Sequence, residues 1–345
     1  MVFSMLKTLC DAFGVSGCEE EVREIIIKNM SDKCIVSVDK LGNVICFKKG
    51  TSASAKKIAL FAHMDEVGLI VSQITDEGYL KFKTVGGIDP RVLASKKVVI
   101  GKNGINGVIG VKPKHQLGKD DDKAATVKDM YIDIGANNAD SAAAHVSLGD
   151  YICFDGNYST FGNGLVKSKA LDNRVGCYIL MRLAMCSAQE DYPHDIYFTF
   201  TVMEEIGCRG AAAAAYEIQP DYAVVVETTT CSDTPGTSPH GYSTKLGNGA
   251  AISLLDMGSY SDRDIVRLLS EAAEKNNIMY QYKQTTLGGN DASTVHISGS
   301  GVKTGAISVP CRYIHSPVCV ASEADIESCY SILNNVLKEE EVWSF

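Results

Sequence analysis

Residues 196–210 read IYFTFTVMEEIGCRG, a stretch that joins an apolar run to two adjacent acids. The apolar run from Ile196 to Met203 is typical of a buried strand, and the adjacent carboxylates Glu204 and Glu205 follow at its end. Neighbouring carboxylates repel each other, and at the end of a buried strand a bound cation is the simplest way to cancel that repulsion. Carboxylates combined with imidazoles suit zinc, cobalt or manganese. The stretch therefore predicts a strand that delivers two acids to a metal site.

Two other acidic runs serve as internal comparisons. Residues 19–21 and 339–341 are each three consecutive glutamates, but both fall in segments with helical periodicity and a polar face. Charged side chains on such a face are solvated, so these runs predict no site.

The composition restricts the classes of protein to consider. The 345 residues suffice for one large or two ordinary domains, and 45% apolar and 22% charged residues are typical of a globular protein. With 33 Lys and Arg against 42 Asp and Glu, the net charge is −9, and no basic block is present. We therefore expect no nucleic-acid partner.

The twelve cysteines show no C-x-x-C spacing, which disfavours a structural zinc site made of thiolates. We found no signal peptide, and no apolar run approaches the roughly 18 residues of a membrane-spanning helix. These features predict a cytoplasmic protein with free, buried thiols and no membrane partner.

Helical and strand-like segments alternate outside the middle of the chain. Ser16 with Glu19 three residues later predicts a capping box that begins a helix. The wholly apolar run 58–62 predicts a strand buried on both faces. After residue 164, strands and helices alternate, which indicates a mostly parallel or mixed sheet with helices on both faces.

Between about residues 71 and 163, short β-rich pieces are punctuated by glycines and long helical periodicity is absent. This pattern predicts a separate small β-domain, either a barrel or a sandwich. We therefore expect one α/β domain formed by residues 1–70 and 164–345, interrupted by an inserted β-domain at 71–163.

Candidate ligands occur in five short segments of the chain. Each segment lies at or just after the end of a predicted strand, or at the start of the helix that follows it. They are His63 with Asp65, Asp172, Glu204 with Glu205, Glu227, and His315. Because ligands bind in the crevice at the carboxyl ends of strands in open α/β sheets, these side chains are expected to converge there. Together they predict a site for two divalent cations.

The residue types suggest a role for each ligand. A two-metal site needs one bridging ligand, and Asp172 at a helix N-terminus is the natural bridge. One metal would then take His63 and Glu227, and the other Glu205 and His315. The remaining histidines are expected to be structural or solvated: His115, His145, His194, His240 and His296.

Two acids are left outside the predicted ligand set. Glu204 is placed to accept a proton from metal-activated water and pass it to a leaving amine. Asp65, two residues after His63, is placed to hold the free nitrogen of that imidazole.

Beyond these single residues, several blocks resemble the glutamyl and deblocking aminopeptidases, a family of di-metal metallopeptidases whose large members are called tetrahedral aminopeptidases. The resemblance runs nearly end to end. It is carried by FGVSG (13–17), AHMDEVG (62–68), GVIG (107–110) with KPKH (112–115), IDIGA (132–136), KALDNRVGC (169–177), EEIGCRG (204–210) and RYIHSP (312–317).

The resemblance implies a catalytic domain with a mixed β-sheet flanked by helices, and a β-barrel-like insert that serves dimerisation. It places His63, Asp172, Glu205, Glu227 and His315 on the metal ligands, Glu204 on the general base and Asp65 on the residue that orients His63. It further implies two zinc or cobalt ions, peptide substrates, and a homo-oligomer, with a dodecamer around an inner chamber as a common form.

Two positions depart from the family pattern. Residue 227 is Glu where Asp is frequent, and Asn290 stands where Thr is usual. The first departure leaves the choice of metal open, and the second leaves the substrate preference open.

The sequence thus predicts a metal-dependent aminopeptidase that removes N-terminal residues from peptides. Two alternatives remain at this point. One is a di-metal hydrolase of another substrate, such as an acylated amino acid or a glycan, and the other is a catalytically silent assembly protein that keeps the scaffold.

Overall fold

A computed structural model describes residues 3–116, 124–156, 158–186 and 192–343. Within them the helices are α1 (Ser4–Asp11), α2 (Glu20–Met30), α3 (Ala139–Ala143), α4 (Leu171–Cys186), α5 (Arg209–Ile218), α6 (Arg263–Lys275), α7 (Ala292–Val295) and α8 (Glu323–Lys338).

The strands, in chain order, are β1 (Ile35–Val38), β2 (Val44–Lys48), β3 (Lys57–His63), β4 (Gly68–Ile74), β5 (Leu80–Val85), β6 (Lys97–Ile100), β7 (Ile105–Val111), β8 (Met130–Asp133), β9 (Tyr151–Phe154), β10 (Ser159–Phe161), β11 (Leu165–Ser168), β12 (Asp195–Thr201), β13 (Tyr222–Thr230), β14 (Ala250–Ser253), β15 (Tyr280–Tyr282), β16 (Lys303–Arg312) and β17 (Cys319–Ser322).

Eleven strands form one mixed sheet. Its main path runs β1-β2-β12-β3-β13-β16-β17-β11-β10, and β14 and β15 extend from β16. The central strands β12, β3, β13 and β16 are parallel to one another, whereas the outer pairs β2–β12 and β16–β17 are antiparallel. The predicted mixed α/β sheet is confirmed.

The central strand β3 shows why both faces of the sheet are covered. Ile58, Leu60 and Ala62 pack into a core that includes residues of α1, α2, α4, α6 and α8. Ala59 and Phe61, which alternate with them, pack into a second core with α5 and α7. Since successive side chains of a strand point to opposite faces, a strand covered on both sides must be apolar throughout. The prediction for this run is confirmed.

The inserted part of the chain forms a closed six-stranded barrel with its own apolar core, in the strand order β4-β5-β8-β7-β6-β9. The structure therefore decides between the barrel and the sandwich in favour of the barrel.

The bounds of the barrel differ slightly from the predicted insert at 71–163. The first barrel strand already begins at Gly68, and β10 pairs with β11 in the large sheet, although β10 lies within the predicted bounds of the insert. The hairpin pairing of β10 with β11 explains this difference. The division into two domains stays a prediction.

The predicted capping box at Ser16 and Glu19 is wrong. Helix α2 begins at Glu20, and its first turn receives no side-chain cap. Ser16 donates instead to the Asp65 carboxylate, and Glu19 accepts from the backbone amides of Gly17 and Met203. Both side chains are buried, so tertiary partners outcompete the local cap. No helix among the described residues has both the length and the apolar character needed to cross a bilayer.

Candidate metal centre

Strand register brings the predicted site residues together. Thr201 of β12 pairs with His63 of β3, so Glu204 and Glu205 emerge beside the end of β3. On the other side of β3, Val225 of β13 pairs with Phe61. The side chains on three parallel strands therefore meet at one level of the sheet.

Glu227 does not follow its strand as predicted but lies within it. Strand β13 continues to Thr230, because it stays paired with β16 as far as the partners Thr230 and Cys311. Strand β13 extends beyond the end of β3, and Glu227 consequently lies at the level where β3 ends. The predicted position at the crevice holds, although the local reason is different.

Asp172 and His315 come from segments with irregular backbone. Asp172 sits at the start of α4 with φ −82° and ψ 107°, outside the helical region. The next residue, Asn173, donates to the Val226 carbonyl (2.8 Å) and accepts from the Gly176 amide (3.0 Å), which anchors this turn to β13. His315 lies in the loop after β16 with a positive φ of 57°. A positive φ at a residue other than glycine persists only where the surroundings hold it, as they do for His315.

The two imidazoles face one shared carboxylate. His63 Nε2 lies 3.5 Å from Asp172 Oδ1 and 3.5 Å from Glu227 Oε2. His315 Nε2 lies 3.5 Å from Asp172 Oδ2 and 3.2 Å from Glu205 Oε2. Each trio of potential ligand atoms falls within 4.8 Å, close enough to surround a single ion. All five predicted ligands are therefore brought together, in two trios that share Asp172.

The donor set suits cations. Glu205 Oε1 and Glu227 Oε1 are buried, and neither accepts a hydrogen bond from any residue that the structure describes. Buried carboxylate oxygens without partners are costly. Two imidazoles and several acids in one small space offer the oxygen and nitrogen ligands that zinc and related ions take.

The pKa values of the acids reflect their burial and their closeness to one another. Burial, with help from nearby acids, raises the pKa values of Glu204 and Glu205 well above their usual range and that of Glu227 to about 7. Burial acts to lower the pKa of His63, but Glu227, Asp172 and Asp65 together raise it well above normal. Positive charge is therefore strongly favoured here.

Asp65 connects the segment of Glu204 and Glu205 with the imidazole of His63. Its Oδ1 accepts from the Glu204 amide (3.0 Å) and its Oδ2 from the Glu205 amide (3.1 Å) and the Ser16 hydroxyl (2.6 Å). Oδ1 also lies 3.4 Å from His63 Nδ1, and the carbonyl oxygen of Asp65 lies 3.2 Å from the same nitrogen. With these partners, the pKa of the Asp65 carboxyl is lowered despite full burial.

The sequence reasoning missed two neighbours of Glu204. Cys208 Sγ lies 3.4 Å from Glu204 Oε1, and the fully buried Asp291 lies beside both side chains. Asp291 follows Asn290, which lines the same cavity and donates to Asp256 (3.1 Å). The glycines at 288 and 289 could have suggested a loop at a site, but no spacing rule connects 291 with 204.

These side chains open into a cavity of about 440 Å³. His63, Asp172, Glu204 and Glu205 line one part of it, and Met257, Lys283 and Leu287 are among the residues of another. A cavity of this size is typical of a binding site for a small ligand.

Comparison with known proteins agrees with this architecture. A family profile described as M42 glutamyl aminopeptidase matches residues 42–332. The crystal structure of a TET aminopeptidase from a marine sediment archaeon, Thaumarchaeota archaeon SCGC AB-539-E09, is 36% identical, covers 98% of this chain and 96% of its own, and superposes with a TM-score of 0.94. The chain belongs to the M42 glutamyl aminopeptidase family, as the sequence motifs indicated, and is accordingly a peptidase, a hydrolase of peptide bonds.

Two further relatives show the range of the family. The TET1 peptidase of Pyrococcus horikoshii, which can assemble into a tetrahedron or a large octahedral shell, is 34% identical, with a TM-score of 0.89 and coverage of 99% of this chain and 100% of its own. The lysyl aminopeptidase of Pyrococcus furiosus is 29% identical over 98% of this chain and 97% of its own.

Proposed function

We propose that this protein is a metal-dependent aminopeptidase that removes N-terminal residues from peptides and holds two divalent cations, zinc or cobalt. The observation that carries the proposal is the pair of carboxylate–imidazole trios that share the Asp172 carboxylate. Its two oxygens face different imidazoles, which is the arrangement that a bridging ligand needs. His63 and Glu227 would hold one cation, and Glu205 and His315 the other.

When bound, the cations would polarise the scissile carbonyl and acidify a water molecule at neutral pH. Within this proposal, the protein's own ligands keep both ions at the rim of the sheet. Two of the five ligands lie on buried strands of the sheet, one lies at the start of α4, and two lie in the loops that follow β12 and β16. The sheet and the elements joined to it therefore position the ligands.

Glu204 would act as the general base. Its side chain is 13% exposed and lines the cavity, and its Oε2 lies 3.9 Å from His63 Nε2, farther than the carboxylate oxygens of the shared trios. The raised pKa of Glu204, which burial causes, suits a group that takes a proton from the attacking water and returns it to the leaving amine. The Asp65 hydrogen bond to its backbone amide would keep the base in position.

We further propose a homo-oligomer, with the barrel serving dimerisation and a dodecamer as the expected form. The shells formed by the Pyrococcus horikoshii relative support this part. A cytoplasmic location also belongs to the proposal, since all twelve cysteines are free, which suits a reducing compartment. Their predicted burial does not hold throughout, because Cys186 is exposed.

The substitution Glu204→Gln tests the central claim. It should keep the fold and the bound metal, measured by elemental analysis, and lower kcat by about 10²- to 10⁴-fold on aminoacyl-coumarin substrates assayed with zinc and with cobalt. Glu339→Gln, in one of the solvated acidic runs, is the matched control and should keep full activity. Residual activity above about a tenth in the Glu204→Gln enzyme would refute the base.

A second comparison tests the substrate class. Peptides with a free N-terminus should be cleaved, whereas the same peptides carrying an N-acetyl group should not. Equal hydrolysis of both, or cleavage of acylated amino acids alone, would contradict an aminopeptidase.

A further inference from the structure

Besides the two trios that share Asp172 and a group made of His63, Glu204 and Glu205, a further group of potential ligand atoms lies at the cavity wall. Glu204, Cys208 and Asp291 each offer one atom, and these atoms lie within 4.8 Å of one another. The Cys208 thiol donates to Glu204 Oε1 at 3.4 Å, and Cys208 lines the cavity wall. Glu204 belongs to this group and also lies next to the proposed metal ligands. It is not itself one of those ligands, so its carboxylate is available to a further cation.

One oxygen of the Asp291 carboxylate provides independent support for a cation at this group. The residue is 0% exposed, and its Oδ2 accepts a short hydrogen bond from the Thr201 hydroxyl (2.6 Å). Its Oδ1, however, is buried and accepts no hydrogen bond from any part of the chain that the structure describes. Leaving a buried carboxylate oxygen without a partner is costly, and a cation between Asp291, Cys208 and Glu204 would remove that cost.

The ligand types select the cation. One thiolate with two carboxylates favours a thiophilic divalent ion, such as zinc or cadmium, over magnesium or calcium. The local backbone holds the thiol in place: Cys208 has φ 53°, its amide donates to the Glu204 carbonyl (2.8 Å), and Ser293 Oγ lies 3.6 Å from its sulfur.

We propose that Glu204, Cys208 and Asp291 form an inhibitory site for one additional thiophilic cation. Binding forms a metal–sulfur bond and releases the thiol proton to solvent, with no change of oxidation state. A cation held there occupies the Glu204 carboxylate and withdraws it from proton transfer. The inhibition rests on the proposed role of Glu204 as the base, whereas the binding does not.

Cadmium is the probe. Enzyme already loaded with its two catalytic equivalents is titrated with Cd²⁺ while three quantities are followed: metal stoichiometry by equilibrium dialysis, ultraviolet thiolate-to-cadmium charge-transfer absorption, and peptidase activity relative to each variant's own starting value. The native enzyme should bind one further equivalent, and absorption and inhibition should saturate together.

Two variants should change this result. Cys208→Ser should lose the absorption and require at least about tenfold more Cd²⁺ for the same inhibition, since even indirect partners of a metal contribute at least that factor to affinity. Asp291→Asn should also weaken binding. Cys186→Ser is the control, because this cysteine is exposed, and it should behave as the native enzyme does.

The proposal is overturned if Cys208→Ser shows the native absorption and inhibition, or if Asp291→Asn leaves both unchanged in a folded protein. Failure of the base assignment gives a different pattern. In that case Glu204→Gln stays active, yet the absorption that depends on Cys208 is still present in the native enzyme.

Discussion

Asp65 Oδ1 accepts a 3.0 Å hydrogen bond from the backbone amide of Glu204, a residue 139 positions away in the chain. The second oxygen does the same for Glu205 at 3.1 Å. One fully buried carboxylate thereby sets the position of both adjacent acids, and it also contacts the imidazole of His63. The positions of the proposed base Glu204 and the proposed ligand Glu205 thus depend on Asp65, whose side chain would touch neither metal nor substrate.

Asp65→Asn should therefore weaken metal binding and lower kcat/KM, each by about 10- to 100-fold, because an amide cannot accept from both backbone amides as a carboxylate does. Metal affinity by competition with a chelator and steady-state kinetics measure the two effects. Asp325→Asn is the control, since Asp325 likewise accepts one backbone amide on each oxygen, from Gly249 and Gly247, and none of these three residues lines the cavity. Native metal affinity in the Asp65→Asn protein would contradict this role.

Metal removal should make stability depend on pH. Burial raises the pKa of Glu227 to about 7 in the folded protein, so the folded state binds this proton more tightly than the unfolded state does. The free energy of unfolding of the metal-free protein should then fall as the pH rises from about 4.5 to about 7, by an amount on the order of 3 kcal/mol for this group. The raised pKa of His63 acts in the same direction, but only above about pH 6.5, where the unfolded chain loses this proton.

Bound cations favour the ionised acids, so the stabilisation by metal should grow over the same pH range. Thermal unfolding with and without chelator, measured from about pH 5 to about pH 7, checks this, and Glu227→Gln should flatten the metal-free profile. Metal-free stability that rises with pH would show that the acids are not held protonated.

A buried ion cluster next to the site should be important for stability. Lys169 Nζ lies 2.6 Å and Arg174 Nη2 3.3 Å from Glu66 Oε1, and all three side chains are at most 3% exposed. Glu66→Gln leaves two buried cations without their anion and should cost about 3–5 kcal/mol in urea unfolding. Removing the exposed partner of Lys275 with Glu339→Gln should cost less than about 1 kcal/mol. Similar costs for the two variants would contradict the cluster's role.

Gly210 allows the backbone to turn closely after the paired acids. A Cβ at this position would lie 2.3 Å from Asn43 Oδ1 and 2.5 Å from the Val202 carbonyl oxygen. Gly210→Ala should therefore cost about 1–3 kcal/mol and shift the adjacent site, lowering activity. Gly289→Ala, where nothing lies within 4 Å of the added carbon, should leave the melting temperature almost unchanged. A stable and fully active Gly210→Ala enzyme would show that the backbone can adjust.

Much of the scaffold and most of the candidate site could be predicted from local patterns. The apolar run 58–62 indicated a strand covered on both faces because a two-sided burial removes polar residues from a strand. The paired acids at Glu204 and Glu205 stood out because their repulsion needs an explanation at the end of such a strand. Residue type and a position at or after the end of a predicted strand indicated His63 and His315.

Other features could not be read from the chain. Ser16 and Glu19 fit a helix cap in sequence, yet they bind Asp65 and the Met203 amide, because packing offered them stronger buried partners. Cys208 and Asp291 meet only because α5 and α7 lie together on one face of the sheet.

By itself, the sequence determined the apolar periodicity, the mixed sheet and the kinds of ligands available, since each of these is a property of neighbouring residues. The tertiary structure alone decided which oxygens share an imidazole, which carboxylate oxygens are left without a partner, and that a thiol lies 3.4 Å from Glu204. Such distances are set by strand register and helix packing, which join residues far apart in the chain and therefore leave no local pattern in it.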